Sequence, residues 1–124
     1  MMANRTKIPW VDILIGCKRM AHWARAGQFD AVYGIKQGGF IPAMLVSQLS
    51  GLPLLTHTEE FKKLNVLLVD EIADSGATRK KYMDRPFACL YKRHSCDAPV
   101  EFYGQLIGTD DWLVFPWEKD FEEA

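Results

Sequence analysis

The segment that most constrains the fold is an apolar run of four residues, Val66 to Val69, followed directly by acidic residues. A continuous apolar run this short is typical of a strand that is covered on both faces, as in a parallel sheet flanked by helices. Asp70, Glu71 and Asp74 come next in the chain. Because parallel sheets bind ligands at the carboxyl ends of their strands, these three acids are the first candidates for a functional site.

The rest of the chain predicts helices and strands in alternation. This order predicts an α/β domain with a mainly parallel sheet. No repeat, low-complexity tract or linker interrupts it, so residues 1–124 are expected to form a single domain. The predicted helices span 10–26, 41–50 and a short stretch after Gly76 that Pro86 limits, and the predicted strands span 30–35, 52–56, 66–69, 87–91, 101–106 and 112–115, with a polar loop over 57–65.

Composition excludes several classes of protein. The 15 basic and 16 acidic residues give a formal net charge of −1, so nothing calls for nucleic acid as a partner. No apolar run approaches the roughly 20 residues of a membrane span, and no apolar signal core is present, which predicts a cytoplasmic protein. The 3 cysteines have neither the spacing of a disulfide framework nor that of a closed zinc site.

The acidic stretch has the chemistry of a sugar phosphate site. Carboxylate oxygens accept hydrogen bonds from vicinal ribose hydroxyls and are hard ligands for Mg²⁺. The turn from Asp74 to Thr78 contains a glycine and leads into a helix, where backbone N–H groups and hydroxyls can bind a phosphate. Spacing alone leaves an alternative open, in which Asp74 or Ser75 only caps the helix.

Three stretches in the same order resemble the type I phosphoribosyltransferases. Residues 66–78, VLLVDEIADSGAT, closely resemble the phosphoribosyl pyrophosphate (PRPP) signature, which is an apolar strand, two acids, two spacers and then D-[ST]-G-x-T. Residues 34–43, GIKQGGFIPA, resemble the pyrophosphate loop of the family. Residues 112–118, WLVFPWE, resemble the base-binding segment of the bacterial, archaeal and phage purine enzymes. The resemblance runs from about Pro9 to Glu118.

The resemblance implies a fold and a reaction. The expected fold is a mainly parallel five-stranded sheet with helices on both faces and a reduced hood. The expected reaction moves ribose 5-phosphate from PRPP to a 6-oxopurine (guanine, xanthine or hypoxanthine), releases pyrophosphate and requires Mg²⁺, as in purine salvage. A homodimer or homotetramer is implied as well.

The family's functional residues can be assigned to this sequence by motif position. Asp74 corresponds to the general base that faces N7 of the purine. Asp70 and Glu71 correspond to the residues that bind the ribose hydroxyls, directly or through Mg²⁺, and Glu118 to a further Mg²⁺ contact. The phosphates are assigned to two loops: the 5′-phosphate to Asp74, Ser75, Gly76, Ala77 and Thr78, and the pyrophosphate to Lys36, Gln37, Gly38 and Gly39. The purine is assigned to Lys92, Trp112 and the backbone of Leu113.

Several alternatives and departures accompany these assignments. Lys92, with Arg93 beside it, is also consistent with a solvated basic turn, Trp112 with core packing, and Glu118 with a surface acid. Gln37 stands where relatives usually carry Arg or Lys, and the loop 56–65 is short. A non-catalytic PRPP-binding or nucleotide-binding module, or a transferase for a different acceptor, is the alternative function.

Overall fold

The computed structural model describes residues 5–35, 37–108 and 111–123. These residues form a five-stranded sheet, a two-stranded sheet and three α-helices. No helix in these ranges is long and apolar enough to cross a membrane. The elements are β1 (Arg5–Lys7), α1 (Trp10–Ala26), β2 (Ala31–Gly34), α2 (Phe40–Ser50), β3 (Leu54–Leu55), β4 (Val66–Ala73), α3 (Ala77–Lys81), β5 (Phe87–Arg93), β6 (Phe102–Ile107) and β7 (Trp112–Val114), with 3₁₀ turns at Thr58–Glu60 and Phe121–Glu123.

The large sheet has the strand order β3-β2-β4-β5-β6, and every neighbouring pair in it is parallel. The apolar run 66–69 lies in the central strand β4 and is fully buried, as its composition predicts. Helices or loops connect successive strands, because a parallel pair needs a crossover connection. The predicted α/β class with a mainly parallel five-stranded sheet is therefore confirmed.

The two faces of the sheet are covered unequally. The long helices α1 and α2 pack against each other and against the same face, where Ile13, Cys17 and Met20 are completely buried. The other face is covered by the five-residue α3 and by loop residues such as Phe61 and Ala98. Helical cover is thus reduced to a single turn on that face.

Two strands run further than the apolar pattern predicts. The sequence places their ends at Val69 and Tyr91, but the ladder continues through the pairs Asp70↔Cys89 and Ala73↔Lys92. Backbone hydrogen bonds hold such pairs whatever the side chains are, so polar residues at a strand end give little warning of them. As a result, Asp70 and Glu71 of the candidate site lie within β4 and not in a loop after it.

The predicted strand 112–115 forms β7 and pairs outside the large sheet. It lies parallel to β1, with Trp112 opposite Arg5 and Leu113 opposite Thr6. The sequence analysis does not predict β1, because a three-residue exposed strand carries no hydrophobic pattern. This two-stranded sheet is the reduced hood, and it brings residues 112–118 towards the carboxyl edge of β4 and β5.

Candidate active site

A glycine-rich turn packs directly against the end of β4. The Ile35 N–H donates to the Val69 carbonyl at 2.8 Å, and the Gly39 N–H donates to the Ile35 carbonyl at 2.7 Å. A Cβ on Gly38 would overlap the Glu71 carboxylate, and one on Gly39 would overlap the Val69 carbonyl. At Gly39 only glycine permits this approach to the backbone, while at Gly38 a side chain would displace the Glu71 carboxylate, so the predicted pyrophosphate loop lies in contact with the acidic strand end. Lys36, assigned to the same loop, lies outside the described residues.

The two acids of β4 are shielded from water to different degrees, with Glu71 partly exposed. Asp70 is buried, and its Oδ1 accepts a hydrogen bond from the Glu71 N–H at 2.8 Å. Burial raises the pKa of Asp70 to about 6. Burial also raises the pKa of Glu71 to about 7, with smaller contributions from the charges of Asp70 and Glu118, while a hydrogen bond with Trp117 opposes the rise.

These carboxylates have no compensating cation within the described part of the chain. The ion pairs found there involve other acids. Adjacent buried carboxylates without a cation are costly, and a bound metal is one way to stabilise them. The arrangement is therefore suited to a ligand that brings positive charge.

Glu118, the third assigned metal ligand, lies at the base of the hood. Its Oε1 accepts a hydrogen bond from the Phe115 N–H at 2.7 Å. Its negative charge contributes to the raised pKa of Glu71. In the ranges the structure covers, no three His, Cys, Asp or Glu side chains are arranged to hold a metal by themselves. Asp70, Glu71 and Glu118 are thus not a closed cage. Mg²⁺ commonly takes one or two carboxylates and completes its shell with water and substrate phosphate oxygens, which these residues allow.

The assigned phosphate turn leads into α3 through a left-handed residue. Gly76 has φ +90°, and a Cβ there would come within 3.0 Å of the Ala98 side chain. The Ala77 N–H donates to Ser75 Oγ at 3.2 Å. The N-cap residue of α3 is Gly76, so neither Asp74 nor Ser75 occupies the cap position, although the Ser75 hydroxyl bonds to the first N–H of the helix. Ser75, Ala77 and Thr78 are exposed and face solvent.

Two adjoining cavities meet at the glycine turn. One, of about 260 Å³, is lined by the phosphate turn and the β4 acids, and the other, of about 420 Å³, by the hood segment 117–120. Gln37, Gly38 and Glu71 line both. Glu71 therefore stands where the two halves of an extended, charged ligand would join.

The residues assigned to the purine lie at the ends of β5 and β7. Lys92 is half-buried, and its Nζ donates to the Cys96 carbonyl at 2.9 Å. It belongs to β5, so the solvated-turn alternative is wrong. Trp112 is 56% exposed, which contradicts core packing for its ring, whereas Leu113 is buried. An exposed aromatic ring can stack on a flat ligand, and an amine can donate a hydrogen bond to one.

Arg93 lies in this region although no motif assigns it a role, and its contact with Asp74 is not predicted by the sequence. It is buried, and its Nε donates to Asp74 Oδ1 at 2.6 Å. Its Nη1 donates to the carbonyls of Gly108 at 3.1 Å and Asp111 at 2.8 Å. The sequence analysis groups Arg93 with Lys92 as a basic turn. The one available signal was a cation at the end of a strand that neighbours the acidic strand.

This fold, with these motifs at the carboxyl edge of the sheet, is that of the type I phosphoribosyltransferases. No family model matches the chain. A curated xanthine-guanine phosphoribosyltransferase from Cereibacter sphaeroides is 29% identical over 119 residues, covering 74% of this chain and 71% of the relative. The enzyme of the same name from Gluconobacter oxydans is 27% identical, covering 74% and 70%.

Solved structures show the same fold. A purine phosphoribosyltransferase from Pyrococcus horikoshii superposes with a TM-score of 0.79 at 22% identity, covering 93% of this chain and 95% of that one. A hypothetical protein from Neisseria gonorrhoeae, solved with bound ppGpp, gives 0.80 at 24% identity, covering 99% and 94%. These findings confirm that the chain resembles the type I phosphoribosyltransferases, and among them the purine enzymes.

Proposed function

We propose that the chain transfers ribose 5-phosphate from PRPP to guanine, xanthine or hypoxanthine and releases pyrophosphate, a purine salvage reaction. The observation that carries the proposal is the contact between Gly38 and the Glu71 carboxylate at the junction of the two cavities. It joins in one groove a glycine turn, a phosphate turn and two carboxylates that have no ion-pair partner among the described residues. The similarity to xanthine-guanine phosphoribosyltransferases supports the choice of reaction.

Catalysis in this proposal depends on position and charge. As pyrophosphate leaves, the ribosyl carbon becomes cation-like, so a carboxylate near the ribose stabilises that state. Asp70 and Glu71 bind the ribose hydroxyls, and Glu71 and Glu118 face the pyrophosphate side. Bound Mg²⁺ would neutralise charge on the leaving group. The turn at Gly38 and Gly39 binds the pyrophosphate together with Gln37, and the Gly38 N–H is its backbone donor, because the Gly39 N–H donates to the Ile35 carbonyl.

The remaining residues bind the phosphate and the purine. The turn Asp74–Thr78 binds the 5′-phosphate through its N–H groups and the hydroxyls of Ser75 and Thr78. Asp74 accepts the N7 proton as N9 attacks the ribosyl carbon. Lys92 donates to the exocyclic oxygen at C6, which selects against adenine because adenine carries a donor there. Trp112 stacks on the ring while the Leu113 backbone binds its edge.

A homodimer or homotetramer in the cytoplasm completes the proposal. The first turns of α1 expose apolar side chains, namely Trp10, Val11, Leu14 and Ile15, all more than 40% exposed. An apolar strip of this kind is typical of a surface that pairs with another protein. Light scattering after size exclusion, comparing the wild type with Ile15→Lys, tests whether this strip is the contact.

The function is tested by pyrophosphate release from PRPP and Mg²⁺ with guanine, xanthine, hypoxanthine, adenine, uracil and orotate. We expect turnover with the 6-oxopurines and little with the other three bases. Asp74→Asn is expected to slow turnover at least about tenfold while leaving the KM for PRPP little changed, because asparagine keeps the shape of the turn but loses the proton acceptor and the charge that pairs with Arg93. Tight PRPP binding with no turnover on any base would instead favour a non-catalytic binding module.

A further inference from the structure

We propose that Arg93 is a positioning residue that fixes Asp74 and the hood relative to each other, so that both meet the same purine. This inference rests on the proposed function, since it gives Asp74 and Trp112 a common ligand. The residue is rigidly placed: its backbone pairs with Ile107 in the sheet, and its side chain is only 9% exposed. A buried guanidinium on a strand has little freedom to adjust to its partners, so the partners adjust to it.

The guanidinium joins two elements that are far apart in the sequence. Its Nε bonds to the Asp74 carboxylate, which follows β4. Its Nη1 bonds to the carbonyls of Gly108 and Asp111, and Asp111 directly precedes Trp112 of β7. A planar group with donors in fixed directions can set such a separation, whereas a single ammonium cannot make both sets of bonds at once.

The same ion pair gives the acids of the site different electrostatic surroundings. Asp74 is compensated by Arg93, while Asp70 and Glu71 have no ion-pair partner among the described residues. A neutral purine is bound more readily beside a compensated carboxylate than beside a bare one. Lys92, the neighbouring residue, is directed to the Cys96 carbonyl instead, so the two adjacent cations have different tasks.

The chain offers a matched control in Arg79. It is also buried and also pairs with an acid, Glu101, at 3.0 Å, and its remaining donors reach the carbonyls of Pro99, Tyr82 and Arg85. These partners fasten α3 and the start of β5, at the opposite end of that strand from Arg93. Losing Arg79 therefore removes a buried arginine network of similar size without touching Asp74 or the hood.

The test compares Arg93→Met, Arg93→Lys and Arg79→Met in steady-state kinetics, together with Asp74→Asn alone and combined with each Arg93 variant. We expect Arg93→Met to lower kcat and to raise the KM for the purine, so that kcat/KM for the purine falls about tenfold. The KM for PRPP should change less than about threefold. Arg93→Lys should recover part of kcat and leave the purine KM raised. In the Asp74→Asn background, either Arg93 substitution should lower kcat by less than about twofold, because the carboxylate that pairs with Arg93 is already lost, but it should still raise the purine KM, because the bonds to the Gly108 and Asp111 carbonyls do not depend on Asp74.

Arg79→Met should lower the thermal midpoint and leave the purine KM unchanged. The positioning role is overturned if Arg93→Met, like Arg79→Met, lowers the thermal midpoint and leaves the purine KM unchanged. It is also overturned if the kcat losses of the Asp74 and Arg93 substitutions multiply in full in the double variant. Should Arg93→Met not fold, the cycle with Arg93→Lys gives the same decision. If the wild-type protein is inactive on every base, the proposed function is overturned, and the role of Arg93 with it. If the wild type is active but the kcat losses multiply, only the positioning role is overturned.

Discussion

Glu71→Gln is expected to make the folded protein more stable while weakening the binding of PRPP with Mg²⁺. In the folded protein burial raises the pKa of Glu71 from 4.5 to about 7. The folded state therefore holds its proton more tightly than the unfolded chain, and stability falls as the pH rises from about 4.5 through 7. Glutamine keeps the shape and can still accept the hydrogen bond from Trp117, but it cannot ionise.

The magnitude follows from the same rise in pKa. Taken at face value, it corresponds to about 3 kcal/mol of free energy of unfolding at pH 8, at about 1.36 kcal/mol per pKa unit. Glu71 is only partly buried and borders two open cavities, so solvent screening reduces the value. We expect Glu71→Gln to gain about 1–2 kcal/mol at pH 8 and less than about 0.5 kcal/mol at pH 4.5, where the folded state is protonated and the unfolded chain is about half protonated.

Urea unfolding of the two proteins at pH 4.5, 6 and 8 measures this difference. Glu122→Gln serves as a control, because that side chain is exposed and its loss should change stability little at any pH. Titration with PRPP and Mg²⁺ at pH 8 should show weaker binding for Glu71→Gln than for the wild type. Equal stability of the two proteins at pH 8, or a gain that is the same at pH 4.5 and pH 8, would refute the reasoning.

Three further substitutions test the groove. Gly38→Ala places a methyl group in the space of the Glu71 carboxylate, so we expect the KM for PRPP to rise about tenfold with the purine KM little changed; an unchanged KM for PRPP would contradict the contact. Trp112→Ala should raise the purine KM about tenfold and leave the melting temperature within about 2 °C, since the ring is 56% exposed; a large loss of melting temperature would indicate a packing role. Gln37→Arg should lower the KM for PRPP about threefold by adding a charge on the pyrophosphate side, and initial rates at fixed Mg²⁺ would decide.

The sequence predicts the α/β fold because the signals for its helices and strands lie in consecutive residues. Buried parallel strands require short apolar runs, and the helices α1 and α2 show their faces and ends in consecutive residues, so both were predicted to within one residue at each end. Strand ends were less predictable. The pairing of Asp70 with Cys89 depends on backbone groups and leaves no mark in the side chains. The same holds for β1, whose three exposed residues follow no pattern.

The candidate site was predictable as a set of motifs and not as a set of contacts. The acids, the glycine turn and the hood segment each have a recognisable sequence. That Glu71 fills the space beside Gly38, and that Arg93 bonds to Asp74, are contacts between residues at least 19 positions apart in the chain. Spacing along a strand cannot reveal them, because they depend on which strands become neighbours in the sheet.

The contacts give the acids of one short segment different surroundings, which agrees with the different roles proposed for them. Asp74 lies next to a buried guanidinium that compensates its charge, so this end of the groove suits a neutral purine. Glu71 lies against backbone and near other acids, and its raised pKa shows that the free protein accommodates its charge poorly. Gln37 adds no cation on that side, so a divalent metal held by Glu71, as proposed, would compensate Glu71 and pyrophosphate together. The groove therefore favours a ligand that is neutral at one end and a metal-bound polyanion at the other, which is the charge distribution of a purine beside PRPP with Mg²⁺.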